Sequence, residues 1–353
     1  MTDAPRGVWA DLPVIDGHND LLGRMYEDPR VDFFSGAETV HISREALQAG
    51  GMAGGFFAIF VPPHGGYRSD TASGMPPPER LERGRRATLR QMAIMHRMLA
   101  RPDSGLLLCR TAEDLRQARA AGQCAVVLHL EGAEGISRSL DELDVLHAAG
   151  LRSIGPVWSR RNRFGSGAPI FGTDEPQSPP GLTALGIQLV ERAAELGMVV
   201  DLSHMTEAGF WQVAGRRGLP LVATHSNARS ICDSPRNLSR EQLRAIGDSG
   251  GMVGLNFATI FLRPDRGIDA DTPVSLMLDH LRALIGGAGI DHVALGSDFD
   301  GAVIPRAIAS AAGLPVLLAA LERAGFSSAE IEKIAWRNWW RQLSMTLASG
   351  RPG

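Results

Sequence analysis

The chain is poor in several things at once. It has three cysteines, two tyrosines, a single lysine and only 6% aromatic residues in 353. Cys109, Cys124 and Cys232 form no CxxC pair. An odd, sparse count fits a reducing compartment, with the thiols serving as small core residues. The thin aromatic content offers no evident groove for a protein partner. No apolar run reaches the roughly 20 residues that a membrane span needs. The first residues show no charged segment followed by an apolar one, and the last residues no hydrophobic tail. These absences lead to the expectation of a soluble, cytoplasmic protein with no membrane partner. The net charge is −3, and no basic stripe or RNA-binding signature is present, so nucleic acid is not expected as a partner. No GxGxxG follows the first apolar run, which argues against a dinucleotide fold.

The shortage of lysine decides a point of chemistry. Lys333 is the only lysine among 36 basic residues. Some binuclear barrel hydrolases bridge their metals with a carbamylated lysine at a strand end. Lys333 falls in a predicted C-terminal helix, so a bridge in this chain has to be a carboxylate.

What the sequence does contain is an alternation of apolar runs and helical patterns. The runs predict strands over Val14–Asp20, Gly55–Pro62, Ala125–Glu131, Leu151–Trp158, Met198–His204, Leu219–His225, Gly251–Phe257 and His292–Asp298. Helical patterns lie between them, as over Pro76–Arg101 and Thr183–Leu196, and two more helices, Ile308–Ala324 and Ser328–Ala348, finish the chain. Continuous apolar strands suit a parallel sheet buried on both faces. Eight of them with intervening helices predict a (β/α)8 TIM barrel of the metal-dependent hydrolase type, with extra C-terminal helices, in one domain over residues 1–353. The runner-up is an open doubly wound sheet. Arg160–Pro180, rich in Gly, Pro, Ser and Arg, reads as a long loop, and loops of that length tend to be functional.

The placement of ligand-type residues carries the functional reading. His18 and Asp20 are two apart, so in a strand they share a side and form half of a divalent-metal site. Four later runs end in Glu131, His204, His225 and Asp298. In α/β barrels the active site lies at the C-terminal strand ends. Chance would scatter such residues over helix surfaces and loops. The other histidines read as structural: His96, His147 and His280 on helices, His41 and His64 in loops without a partner type, His292 at the wrong strand end. His129 lies one layer below Glu131, and Asp16 and Asp201 lie earlier in their strands, which suits supporting hydrogen bonds. Asp300 is a further base candidate on the loop side of Asp298.

At these residues the chain resembles the membrane dipeptidase (renal dipeptidase) family, metallopeptidase family M19 of the amidohydrolase superfamily. The matching stretches are Asp16–Asp20 (DGHND), Leu130–Gly132 (LEG), Asp201–His204 (DLSH), His225–Ala228 (HSNA) with Arg236-Asn237, and Gly296–Gly301 (GSDFDG). They span residues 14 to 301 in order. The resemblance implies a dipeptidase with two Zn2+ per chain. His18 and Asp20 would bind one ion, His204 and His225 the other, and Glu131 would bridge them. Asp298 would act as general base and then acid on a water nucleophile. Arg236 would grip the substrate's C-terminal carboxylate through its bidentate fork; without the resemblance it reads as one surface arginine of many. The expected substrate is a dipeptide with a free C-terminal carboxylate, L-Xaa-D-Xaa included. A homodimer is a common state in the family.

One departure stands out. Family members commonly carry a histidine at the end of strand four, placed to stabilise the tetrahedral intermediate, and the aligned residue here is Trp158. Its indole donates a single hydrogen bond. Arg160, Arg161 or Asn162 is the expected replacement, with Trp158 and Asn162 assigned to substrate binding. Two alternatives follow: the same centre acting on another small amide, such as an N-acyl amino acid or a lactam, or a non-catalytic metal-binding barrel.

Overall fold

In a computed structural model the chain forms a nearly closed barrel of eight parallel strands surrounded by helices. The structure describes residues 9, 11–35, 40–64, 77–170, 180–216 and 218–349. Nine strands occur among them: β1 (Val14–Asn19), β2 (Met52–Phe60), β3 (Leu106–Leu108), β4 (Cys124–Glu131), β5 (Leu151–Gly155), β6 (Val199–Val200), β7 (Val222–Ala223), β8 (Met252–Leu255) and β9 (Val293–Leu295). The order around the sheet is β6-β5-β4-β2-β1-β9-β8-β7. A single parallel bridge, Asp201 to Val222, spans the gap between the two ends. The eight-stranded expectation therefore holds for the barrel. β3, which the sequence reading did not anticipate, pairs with β4 off that path; three leucines are too few to show a period.

Strands five and six of the sequence reading are much shorter than expected, two residues each as β6 and β7. The reason is visible in the hydrogen bonds. The N–H groups of Asp201 and Leu202 still donate to the carbonyls of Ile154 and Val222, and beyond them side chains take over as partners. Asp201 Oδ1 accepts from the N–H groups of Ser203 and Thr224 at 3.1 and 2.8 Å, and Ser203 Oγ accepts from the N–H of His225 at 3.0 Å. The apolar runs continue, but a carboxylate and a hydroxyl take over the ladder.

The barrel interior is filled in two storeys. Below, Ile15, Phe56, Val127, Val199, Val222, Met252 and Ala294 meet the fully buried Trp339 of the C-terminal helix Asn338–Ser349. Trp339 Nε1 donates to the carbonyl of Leu295 at 2.8 Å, and its ring sits 5.0 Å from that of Phe56. Asn338 Nδ2 donates to the carbonyls of Ile290 and Val293. Lys333 pairs with Asp291, just before β9, at 2.7 Å, at the end of the barrel opposite the strand C-termini. The upper storey is polar. The helices outside pack on the other strand faces, where Leu128, Leu130, Ile154, Val200, Leu255 and Leu295 are buried. Several helices are opened by a side-chain cap, as at Thr111, Thr183 and Ser239. No helix among the described residues is long and apolar enough to cross a membrane. Cys109, Cys124 and Cys232 are free and buried, and burial pushes the Cys124 thiol up to about 12.

Candidate active site

Six predicted residues converge at the C-terminal strand ends. His18 lies in β1 and Asp20 follows it; Glu131 ends β4 in register with Phe60 and Gly155. His204 and His225 stand just past the short β6 and β7, and Asp298 three residues past β9. Glu131 Oε1 lies 2.8 Å from His204 Nε2, 3.5 Å from His225 Nε2 and 3.6 Å from His18 Nε2. His18 Nε2 is 3.3 Å from Asp20 Oδ2. Two sets of ligand atoms cluster within 4.8 Å of one another: His18, Glu131 and His225, and His18, Asp20 and Asp298.

Supporting contacts orient these groups. Ser159 Oγ meets His204 Nδ1 at 2.7 Å and Thr224 Oγ1 meets His225 Nδ1 at 2.9 Å. Both imidazoles are thereby turned so that their Nε2 atoms face each other at 3.0 Å. Asp16 accepts from the N–H and Oγ of Ser297 at 2.6 and 2.7 Å, and Asp298 N–H donates to the carbonyl of His18 at 3.0 Å. The β9 end is thus locked to the β1 end. Asp16, Asp201 and His129 make the supporting contacts expected of them: His129 Nδ1 meets Ser153 Oγ at 2.8 Å, and its Nε2 lies 3.5 Å from Asp201.

The electrostatics show a site short of positive charge. Burial raises Glu131 well above the ordinary carboxylate range, although His18 pulls the other way. Burial pushes Asp298 up to about 6, with the Asp20 carboxylate adding to the shift. Burial opposes a proton on His18, yet Glu131 and Asp20 outweigh it and lift the imidazole to about 10. His204 and His225 are driven well below their usual range by burial and by Arg236 and His18, so their lone pairs are available. Both ring nitrogens of His18 are buried without a hydrogen-bond partner. Buried carboxylates without compensation are costly. Imidazole lone pairs and carboxylate oxygens converging on one space fit divalent cations. Gly301 keeps that space open: a Cβ there would lie 2.1 Å from Asp20 Oδ2 and 2.6 Å from Asp298 Oδ1.

Arg236 is placed beside the centre, only 2% exposed. Its Nη1 donates to the carbonyl of Ser203, its Nη2 donates to the carbonyl of His225 at 3.2 Å, and its buried Nε has no partner. Burial lowers it to about 10 while Asp298 and Glu131 hold it charged. Trp158 is buried and lines a cavity of about 240 Å³ above the cluster, its ring 5.7 Å from His204 and 5.1 Å from Phe60. Asp300 also lines it, accepting from the N–H groups of His41 and Ile42. His41 does have a partner, contrary to the sequence reading: its Nδ1 accepts from the N–H of Asp300 at 2.9 Å.

The expected oxyanion donors are not brought to this cavity. Asn162 lies outside its lining, and both ends of its amide are used in its own loop, Nδ2 donating to Pro156 and Oδ1 accepting from Phe164 N–H, each at 2.8 Å. A backbone loop needs such internal bonds when no ladder is near. Arg160 donates to Glu134 and to the carbonyl of Val61, and Arg161 is exposed. Residues 171–179 of the predicted loop lie outside the described residues.

Sequence reasoning missed Asn256. It follows β8, one of the strands to which no ligand was assigned, and its Nδ2 donates to Asp298 Oδ2 at 2.9 Å. A polar residue inside an otherwise apolar run was the available signal.

The profile of the family described as Membrane dipeptidase (Peptidase family M19) matches residues 3–349. A protein from the pqqA 5' region of Klebsiella pneumoniae is 46% identical over 253 residues, covering 72% of this chain and 93% of its own. The dipeptidase verJ of Clonostachys rogersoniana is 28% identical, covering 95% of this chain and 84% of its own. Among solved structures, a metallopeptidase of Rhodobacter sphaeroides, liganded with a phosphinate mimic of the dipeptide L-Ala-D-Ala, superposes with a TM-score of 0.87 at 40% identity. It covers 97% of this chain and 100% of that one.

Proposed function

On the premise that this chain belongs to the membrane dipeptidase family (peptidase family M19) and is a dipeptide-cleaving metallohydrolase, we propose that it is a zinc enzyme acting on dipeptides with a free C-terminal carboxylate, L-Xaa-D-Xaa among them. The observation that carries this is the single oxygen of Glu131 with three imidazole Nε2 atoms between 2.8 and 3.6 Å around it. His18 and Asp20 would hold one zinc ion, His204 and His225 the other, with Glu131 shared. Zinc, when bound, supplies a water acidified towards neutrality and polarises the scissile carbonyl.

The chain's own groups do the rest. Asp298, aimed by Asn256, takes a proton from the attacking water at a carboxylate oxygen and delivers it to the leaving amine. Its elevated pKa brings it closer to the working pH, which suits both halves of that role. Arg236 keeps a donor, Nε, for the substrate's carboxylate, and a fixed cation there makes chain length a selection rule. Trp158 and Phe60 give the cavity an apolar wall that excludes water from the reacting bond. That wall also favours the second reading, an N-acyl amino acid or lactam in place of a dipeptide. The similar R. sphaeroides metallopeptidase with its L-Ala-D-Ala mimic supports the inclusion of L-Xaa-D-Xaa dipeptides. The buried free thiols support a reducing, cytoplasmic setting.

The test is amino-acid release from L-L, L-D and N-acetylated dipeptides by zinc-loaded and chelator-treated protein, with metal content measured alongside. Chelator-sensitive release from free dipeptides, at about two zinc ions per chain, is the expected result. Release from N-blocked substrates alone moves the assignment to the second reading, and release that survives complete metal loss removes the metal from the reaction.

A further inference from the structure

Behind the wall of the catalytic cavity lies a groove of unusual charge. It is lined by Arg80, Arg83, Arg138, Arg160, Arg161 and Arg163, with Glu134 as its one carboxylate among the described residues. This is a local inversion, because acidic residues outnumber basic ones in the whole chain, 39 to 36. Several surface arginines elsewhere are matched with acids, as in Arg30–Asp28, Arg192–Asp144 and Arg263–Asp265. In the groove the acids are already taken. Glu134 pairs with Arg160 at 2.8 Å. Glu142, which also acts on Arg163, is held by Arg85 and by the N–H and Oγ of Ser137. The guanidinium groups of Arg80, Arg138, Arg161 and Arg163 make no hydrogen bond or ion pair among the described residues.

Such an arrangement is unfavourable unless something anionic joins it. Arg80 and Arg163 are partly buried, where screening by water is weaker. Arg163 is lowered from its usual range by that burial and by the neighbouring Arg138, Arg80 and Arg85. Guanidinium groups present planar forks that match oxyanions in pairs. The groove shares a wall with the catalytic cavity: the Arg160 guanidinium carbon lies 5.2 Å from the Trp158 ring and 5.5 Å from the Phe60 ring, and both rings line that cavity.

We propose that this groove is a binding site for a small polyanion, a ligand with two or more phosphate, sulfonate or carboxylate groups, distinct from the metal centre and abutting it through Arg160. The anion is either a distal acidic part of the substrate or a separate effector. The chemistry of capture is the same in both cases. The binding itself does not depend on the dipeptidase reading.

A probe that coordinates metal weakly isolates the groove. Binding of pyrene-1,3,6,8-tetrasulfonate to the zinc-loaded protein, followed by fluorescence anisotropy, should be saturable and weaken steeply with salt. It should lose at least tenfold in affinity in R138E/R163E and about threefold in R138Q/R161Q, whose positions are exposed and whose fold circular dichroism checks. D298N and chelator-treated protein should bind the probe as the wild type does. Equal affinity in wild type and both arginine variants overturns the proposal. So does loss of binding on chelation, because the anion then sits at the metals. With hydrolysis as a second readout, a KM that rises in R138Q/R161Q only for acidic dipeptides identifies the anion as part of the substrate. A change in turnover of a neutral dipeptide by the probe, without competition, identifies an effector.

Discussion

Asn256 Nδ2 donates to Asp298 Oδ2 at 2.9 Å, so the carboxylate at the end of β9 is aimed by the amide at the end of β8. The amide is itself fixed: its Oδ1 accepts from Ala258 N–H at 2.6 Å, and its backbone exchanges two hydrogen bonds with the side chain of Asn227. Asp298 sits at φ 60°, in the left-handed region that a non-glycine residue adopts only at some cost. A strained backbone and a held side chain together give this carboxylate one direction.

Asn256→Ala removes the aim and leaves every proposed metal ligand in place. A hydrogen bond to a charged group is worth about 1.5–3 kcal/mol, which corresponds to roughly a 10- to 100-fold fall in kcat. Metal content and KM should change little. Steady-state kinetics with metal analysis decide it, and an unchanged kcat removes Asn256 from any part in positioning Asp298.

Asp298→Asn should keep metal binding and lose turnover by about 10²–10⁴, the range of general acid–base catalysis. The amide keeps the size of the carboxylate but cannot take up a proton. Turnover close to wild type with full metal occupancy would reassign the proton transfer to another group, and Asp300 is the nearest candidate in sequence.

Metal removal should destabilise the fold as well as stop the reaction. Glu131, Asp298 and Asp20 share one buried space whose internal positive charge is His18 and Arg236. A cation held at a hundredfold excess over its Kd contributes about 2.7 kcal/mol. Thermal unfolding with and without chelator should show a drop of several degrees that added zinc reverses. A melting temperature indifferent to chelator contradicts the assignment of these residues as a high-affinity site.

His41 provides a pH signature of stability. Its Nδ1 accepts from Asp300 N–H, so the fold needs it neutral, and burial lowers it to about 4 from 6.5. Between those values the unfolded chain holds a proton that the folded chain does not. Stability from this group is therefore complete above pH 6.5 and is lost as pH falls towards 4, at up to about 1.4 kcal/mol per pH unit. His41→Asn keeps an acceptor without the titration. Urea unfolding at pH 7, 6 and 5 should show a shallower loss in the variant, and parallel curves would exclude His41 as a source of acid lability.

Trp339→Ala should cost about 3–5 kcal/mol, the usual range for a buried large-to-small change. The ring is fully buried among the inward-facing residues below the metal centre, and its N–H is bonded to Leu295. Urea titration measures the cost. A loss below about 1 kcal/mol would show that the C-terminal helix is not an essential part of the barrel core.

The alternation of apolar runs and helical patterns made the barrel legible, because strands buried on both faces need nearly continuous apolar sequence. The positions of His18, Asp20, Glu131, His204, His225 and Asp298 were legible for a related reason: the ends of such runs are where a barrel opens to its site. The absence of lysine outside Lys333 already excluded a carbamylated lysine at a strand end. The distances among these residues could not be read, since five chain segments separated by up to 280 residues meet only when the sheet curls up. Nor could the shortness of β6 and β7, where Asp201 and Ser203 take over backbone hydrogen bonds that an apolar pattern cannot reveal. The sequence offers Asn162 as a donor near Trp158, whereas its amide bonds within its own loop. Asn256 was passed over because one polar residue in an apolar run carries no direction until its neighbour strand is known. Sequence determined which side chains were available and on which end of the barrel they stand. Tertiary structure decided which of them share charge, because electrostatic coupling depends on distance and burial, and both arise only on folding.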